Sequence, residues 1–226
     1  MIRGMQNIKV GILGSGDVGK ALARGFPGLG HEVRIGSREP EKLAEWTASA
    51  GERASAGTFE ETASFGDVIV LATLGTGTES AIDLGGVANF DGKVVIDATN
   101  PLDFSSGAPK LFVGHTDSLG ERVQRKVPKA RVVKAFNTVG NALMVNPDLP
   151  GGPPDMFLAG NDEAAKKLVS QICHHFGWGV ADIGGIEGAR HLEAMCMTWV
   201  LYGSKNGIWT HAFKLLRKDE ASRNGK

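Results

Sequence analysis

The chain has little cysteine: Cys173 and Cys196 are the only two. Two isolated thiols cannot build a disulfide framework or a four-ligand zinc site, so a stapled scaffold and a zinc domain are excluded, and both thiols are expected to be reduced and buried. Net charge is lacking as well. Lys+Arg and Asp+Glu balance at 25 each, which leaves no long-range field to gather nucleic acid or an anionic membrane surface. No apolar run reaches the roughly 18 residues needed to span a bilayer, and Met1 to Asn7 lacks the apolar core of a signal peptide. A cytoplasmic protein with no membrane and no nucleic-acid partner is expected. Glycine, by contrast, is abundant at 32 of 226 residues, which predicts many tight turns and close backbone approaches.

Short apolar runs alternate with longer amphipathic stretches. Strands are predicted at Ile8–Leu13, within His31–Gly36, near Arg53–Ser55, and at Asp67–Ala72, Lys93–Asp97 and Arg131–Ala135. Helical segments are predicted at Val18–Leu29, Pro40–Ala50, Phe59–Ser64 and Ser118–Val127, with a long loop from Asn100 to Thr116. Continuous apolar strands separated by helices point to a parallel sheet covered on both faces. A proline- and glycine-rich stretch, Asn146 to Pro154, leads into a further strand (Asp155–Ala159), a helix (Asp162–His175), a last strand (Gly179–Ile183) and a helical region from Glu187 to about Leu216. The expected architecture is α/β: a Rossmann-type, doubly wound, mainly parallel sheet over residues 1–145, with a small C-terminal strand–helix extension over 146–226 packed on it as one compact unit. The last residues, Lys218 to Lys226, are expected to fray.

The first strand runs into Gly14-Ser15-Gly16-Asp17-Val18-Gly19 at the start of a helix. G-x-G-x-x-G alone is a weak signal; directly between a strand and a helix it is the phosphate turn of a dinucleotide site. Gly14 permits the tight turn, Gly16 lets the backbone approach a pyrophosphate, and Gly19 lets the helix pack on the strand. The anion then meets the unpaired N–H groups of the helix start. At the tip of the second strand, NAD-preferring sites carry Asp or Glu for the ribose 2′-hydroxyl. Here stand Gly36-Ser37-Arg38, with Lys42 one turn on. Ser37 and Arg38 suit a 2′-phosphate, and Lys42 adds a second positive charge, which points to NADP(H). The competing reading leaves Arg38 and Lys42 as solvated surface charges.

Gly11 to Lys42, "GILGSGDVGKALARGFPGLGHEVRIGSREPEK", resembles the opening of the NADP-dependent coenzyme F420 reductases (F420H2:NADP oxidoreductases), their bacterial dinucleotide-binding relatives and the cytosolic domain of the STEAP metalloreductases. "VVIDATNPL" at Val94 to Leu102, "ARVVKAFNTVG" at Ala130 to Gly140 and "MFLAGNDEAAKKLV" at Met156 to Val169 extend the resemblance, and "HLEAMCMTW" at His191 to Trp199 follows it more loosely. The resemblance implies that Ser15, Ser37, Arg38 and Lys42 hold the 2′-phosphate end of NADP. It places Ala72, Thr73 and Leu74 near the nicotinamide half, and Asn137, Thr138 and Val139 around the nicotinamide pocket. The chain departs from the family pattern at Leu74-Gly75-Thr76-Gly77-Thr78, where a proline and a bulky residue are usual, which bears on the identity of the second redox partner.

Hydride transfer between NADPH and a deazaflavin or flavin asks little acid–base work of a protein, and no catalytic dyad stands out. The positioning candidates are Thr73, Asn100 with Pro101, Asn137 and Thr138. Asn137 can bond a nicotinamide carboxamide or cap a following helix; Asn100 before Pro101 can be a turn residue. His174 and His175 suit a helix C-terminus, His115 lies in the long loop, and His191 and Glu193 read as surface or cap residues. Met195, Met197, Trp199, Val200, Leu201, Tyr202, Ile208, Trp209 and Phe213 make an aromatic-rich end that either packs on the sheet or forms a homodimer face. The expected function is an NADP(H)-dependent oxidoreductase passing hydride to or from F420, a flavin or another small acceptor. The alternatives are a reductase of small imines or 2-hydroxy acids, and a non-catalytic NADP(H) sensor.

Overall fold

A computed structural model describes residues 7–218; the expectations for Met1 to Gln6 and for the fraying of residues 219–226 lie outside the described residues. Strand β1 (Lys9–Leu13) leads into helix α1 (Asp17–Gly25), β2 (Glu32–Gly36), α2 (Ala44–Ala50), β3 (Ala54–Gly57), α3 (Phe59–Phe65) and β4 (Val68–Leu71). Then come α4 (Thr78–Gly85), β5 (Val94–Asp97), the two-residue strands β6 (Leu102–Asp103) and β7 (Lys110–Leu111), α5 (Leu119–Lys126) and β8 (Arg131–Lys134). The chain closes with β9 (Asp155–Gly160), α6 (Glu163–His175), β10 (Gly179–Asp182) and α7 (Ala189–Asn206). Eight strands form one sheet in the order β10-β9-β8-β5-β4-β1-β2-β3, and β6 pairs with β7 in a separate hairpin. Every neighbouring pair in the large sheet is parallel except β8 with β9, so the sheet is mainly parallel, as expected.

The two-residue period of a strand explains why these runs are continuously apolar. Val68 and Val70 enter a core with Val10, Ile12, Val33, Ile35, Leu22, Phe26 and Phe176. Their neighbours Ile69 and Leu71 face the opposite layer with Leu13, Val95, Ile82, Phe90 and Val123. Both faces are covered, so β4 and β5 expose no residue. The order reverses between β1 and β4, and it is outside the carboxyl ends of strands at such a switch point that doubly wound sheets bind ligands.

The loop expected from Asn100 to Thr116 carries the β6–β7 hairpin, and four expectations about helices need correction. The first helix stops at Gly25 because Pro27 cannot donate to it, and Pro27–Leu29 form a 3-10 turn instead. Pro40–Leu43 are likewise 3-10, and the α-helix begins at Ala44. Helix α4 is not predicted by the sequence pattern, because glycines flank it at Gly75, Gly77 and Gly86. The terminal helix ends at Asn206, where Gly207 adopts φ 65°; beyond it the chain is non-helical. There Phe213 O accepts from Asp155 N (2.9 Å), and Leu215 N donates to the Asp155 carboxylate (2.9 Å). Asp162 does cap α6, its Oδ1 accepting from Ala165 N at 2.7 Å.

His31, buried at the entry to β2, accepts a hydrogen bond at Nδ1 from Ile8 N (3.3 Å) and so ties the start of β1 to that of β2. Burial, reinforced by the nearby His175, holds its pKa below the ordinary histidine value of 6.5. The folded chain therefore keeps the neutral ring, and the stability it contributes is present above pH 6.5 and is lost as the pH falls below it. Thermal melts from pH 7.5 to 5 are expected to show this decline. His31→Asn, whose amide oxygen takes the place of Nδ1, is expected to flatten it; an unchanged slope would remove His31 as its source.

Candidate functional site

The three glycines of the turn after β1 differ in what surrounds them. Gly14 adopts φ 131°, and a Cβ there would run into the Ala72 carbonyl. A Cβ on Gly19 would strike the Gly14 carbonyl. Both are therefore required by packing within the chain. Gly16 is not: its backbone is extended (φ −75°), and among the described residues a Cβ there would meet nothing within 4 Å. It is also the N-cap of α1 and offers no side chain to the first-turn N–H groups. Those donors face the open space beside Gly16, where Ser15 and Asp17 flank them and Val18 is half-buried.

At the tip of β2, Ser15 Oγ donates to Ser37 Oγ (3.4 Å), so the two loops are tied. Ser37 Oγ also accepts from Glu39 N (3.1 Å). Arg38 is exposed and makes no hydrogen bond or ion pair among the described residues. Lys42 differs from the sequence reading of a spare positive charge: its Nζ lies 2.5 Å from Glu39 Oε2, an exposed pair one turn apart. The Glu39 hydrogen bond and charge raise the Lys42 pKa, and Lys42 lowers that of Glu39.

Three further strand tips converge beside this turn. After β4, Ala72 is buried, Thr73 Oγ1 lies 3.2 Å from Thr78 Oγ1, and Leu74 is 83% exposed. Gly75 is so close to the Asn100 carbonyl that a side chain has no room, which locks the loop after β4 to the loop after β5. Asn100 does more than turn the chain before the buried Pro101: its Nδ2 donates to Asn137 O (2.8 Å). Asn137 Nδ2 donates in return to Asn100 Oδ1 (3.0 Å) and to Leu192 O (3.0 Å). Asn137 caps no α-helix; it is buried, as are Thr138 and Val139. Its Oδ1 has no partner among the described residues. Flipping the amide would set oxygen against two acceptor oxygens, so this orientation is fixed and one acceptor is left over.

Sequence reasoning missed a buried ionic cluster behind these loops. Lys134 Nζ lies 3.0 Å from Asp97 Oδ2 and 2.9 Å from Glu193 Oε1, with side-chain exposure of 0%, 0% and 1%. Asp97 Oδ1 accepts from Thr99 N (2.9 Å) and Thr99 Oγ1 (2.6 Å). Glu193 accepts from Leu119 N (3.0 Å) and Gly120 N (2.9 Å), so it caps α5 rather than its own helix. The cap reading therefore holds, on a neighbouring helix, while the surface reading is corrected: Glu193 is buried. The signal available was charge at the ends of two otherwise apolar strands. Burial alone lowers the Lys134 pKa, but Asp97 and Glu193 outweigh it and hold it above the ordinary lysine value.

The remaining candidates stand apart. His115 and His191 are exposed, and His174 Nδ1 lies 2.9 Å from Trp178 O at the end of α6. Cys173 and Cys196 are free and buried, and burial pushes the Cys196 thiol up to about 12. Among the described residues no group of three or more His, Cys, Asp or Glu could hold a metal, and no helix is long and apolar enough to cross a membrane.

A doubly wound sheet with an uncapped glycine turn at its switch point, and polar loops gathered at neighbouring strand tips, defines a dinucleotide-binding α/β protein. Residues 9–101 match the family described as NADP oxidoreductase coenzyme F420-dependent. The F420-dependent NADP reductase of Methanocaldococcus jannaschii is 31% identical over 206 residues, which cover 83% of this chain and 89% of that one. A solved structure of a candidate F420 dependent NADP-reductase from Arthrobacter sp. FB24 superposes with a TM-score of 0.88 at 36% identity, covering 93% of this chain and all of that one. The chain belongs to the F420-dependent NADP reductase family and is an NADP-dependent oxidoreductase. Metalloreductase STEAP3 of Rattus norvegicus is 33% identical over 83% of this chain, which spans only 36% of that protein's length.

Proposed function

We propose that this chain passes hydride between NADPH and a deazaflavin of the F420 type, and that residues 1–145 hold the dinucleotide while 146–226 form the extension packed on them. The observation that carries the reading is Gly16: no packing inside the protein calls for a glycine there, and an uncapped helix start faces the space it leaves. In this reading the pyrophosphate rests on the backbone of Ser15, Gly16, Asp17 and Val18, with Gly14 and Gly19 shaping the turn beneath it. Ser37 and Arg38 take the 2′-phosphate, with Lys42 a weaker contributor because Glu39 already pairs with it. The orphan Oδ1 of Asn137 accepts from the nicotinamide carboxamide. Ala72, Thr73, Leu74, Asn100, Pro101, Thr138 and Val139 wall the nicotinamide end.

When bound, the dinucleotide supplies the hydride; the protein orients it and excludes water, and no side chain is asked to move a proton. The exposed Leu74, with open space at Gly77, offers an apolar lip to a planar acceptor. The exposed Leu201, Tyr202, Ile208 and Trp209 support a homodimer, and the two free thiols suit the cytoplasm.

Arg38→Ala is the direct test of nucleotide choice. Loss of a charge-assisted contact is expected to weaken NADPH about 10- to 100-fold in calorimetry and to leave NADH within about twofold. Equal losses for both nucleotides would remove the 2′-phosphate assignment. NADPH oxidation with F420 and with FMN then fixes the acceptor. Turnover with F420 supports the reading, turnover with FMN alone replaces the deazaflavin by a flavin, and binding without turnover on either overturns the deazaflavin assignment in favour of another small acceptor.

A further inference from the structure

We propose that Glu193 is a positioning residue that sets the orientation of the nicotinamide end of the dinucleotide without touching it. The proposal deepens the functional reading and rests on Asn137 receiving the carboxamide. The path runs through hydrogen bonds and one step along the backbone of α7. Asn137 Nδ2 is held by Leu192 O, the carbonyl immediately before Glu193 in the first turns of α7. Glu193 in turn fixes where that turn of α7 sits, because its two carboxylate oxygens accept from Leu119 N, Gly120 N and Lys134 Nζ at 2.9–3.0 Å. Lys134 ends β8, three residues before Asn137, and its other partner Asp97 ends β5, three residues before Asn100. One cluster therefore anchors both loops that carry the paired asparagines, together with the helix that supplies the second acceptor for Asn137.

The chemistry of the cluster argues for geometry over mere cohesion. Burying two carboxylates and one ammonium is an inefficient way to stabilise a fold, since apolar residues of similar size would hold the same elements together as well or better. What ions and their hydrogen bonds provide is direction: each carboxylate oxygen has its donors at fixed angles, so α7 has one seating. A small slide of α7 would carry Leu192 O away from Asn137 and leave its amide held by Asn100 Oδ1 alone. The orphan Oδ1 would then be held less firmly in place.

The test separates the nicotinamide end from the rest of the ligand. Wild type, Glu193→Gln, Asn137→Ala and the double variant are titrated by calorimetry with NADPH and with adenosine 2′,5′-bisphosphate, which lacks the nicotinamide half. Glutamine keeps the shape but presents an NH2 group to one of the three donors, so the seating of α7 is disturbed. Glu193→Gln is expected to weaken NADPH about tenfold and leave the bisphosphate within about twofold. In the Asn137→Ala background the same substitution is expected to add nothing, because it acts through that amide. Equal weakening of both ligands, an additive loss in the double variant, or unchanged NADPH affinity would each overturn the proposal. Failure of the underlying reading looks different: wild type would then bind NADPH no more tightly than the bisphosphate, and the proposal would fall with it. If Glu193→Gln does not fold by circular dichroism, Glu193→Asp keeps the charge, shortens the reach, and carries the same expectations.

Discussion

Gly16→Val is expected to abolish NADPH binding, by at least about 100-fold, in a protein that still folds. The usual objection to glycine substitutions in a tight turn is that they wreck the backbone. At Gly16 that objection does not hold: the residue is exposed, its φ of −75° suits any L-residue, and an added side chain meets nothing within 4 Å. A valine would instead fill the space in front of the uncapped first turn of α1, where the N–H groups await an anion. The melting temperature is expected to stay within about 2 °C of wild type, as for a surface substitution. The neighbouring glycines predict the opposite pattern. Gly14→Ala places a side chain at φ 131° and against the Ala72 carbonyl, and Gly19→Ala drives α1 into the Gly14 carbonyl. Both should lower the melting temperature whether or not nucleotide is present. Calorimetry with NADPH and circular-dichroism melts on the three variants sort the motif into one ligand glycine and two packing glycines. Retained affinity in Gly16→Val would move the pyrophosphate seat elsewhere.

That division shows what a sequence makes legible. The strands of the large sheet were readable to within a residue or two, because burial on both faces leaves runs such as Val68 to Leu71 with no polar position to confuse the period, whereas the two-residue β6 and β7 lie in what reads as a loop. The turn and the strand tips were readable because topology places them: a doubly wound sheet gathers its carboxyl-end loops at one edge. Helix α4 was hidden by glycine at both ends, and only Ala81 and Ile82 carry a buried apolar stripe through it. The end of α7 was hidden for the converse reason. Ile208, Trp209 and Phe213 continue an apolar pattern that looks helical, while the single residue Gly207 turns the chain away. The Asn100–Asn137 pairing joins residues 37 apart, and the partnership of Glu193 with Lys134 crosses from α7 to β8. No local pattern encodes either. A charged residue at a strand end is ordinarily a solvated one, so the charges that end β5 and β8 do not by themselves mark a buried cluster.

Lys134→Met should be the most destabilising substitution at that cluster, and the reason is electrostatic. The ammonium neutralises two carboxylates that are otherwise fully withdrawn from water. Methionine would fill the volume but leave both carboxylates facing each other in a dry interior. Removing one partner from a buried ion cluster typically costs about 3–5 kcal/mol, which for a chain of this size lowers the melting temperature by on the order of 10 °C. Lys129→Met supplies the contrast: Lys129 pairs with Asp91 at 2.7 Å but its side chain is 75% exposed, so the melt should hardly move. The pH dependence carries a sign that can be checked. Lys134 is held above the ordinary lysine value of 10.5, so its contribution is complete below that pH and is lost only as the pH rises through the higher folded value. Lowering the pH from 9 to 7 should therefore leave the gap between wild type and Lys134→Met intact. A triple variant, Asp97→Leu, Lys134→Met and Glu193→Leu, then separates cohesion from direction. With no charge left to desolvate, its melting temperature is expected to rise above that of Lys134→Met, short of wild type by the lost cap on Leu119 N and Gly120 N. Its affinity for NADPH should stay reduced while the bisphosphate binds normally, because an apolar plug can glue α7 to α5 and β8 but cannot aim Leu192 O at Asn137. Recovery of both properties together would show that the ions hold the elements in contact and nothing more.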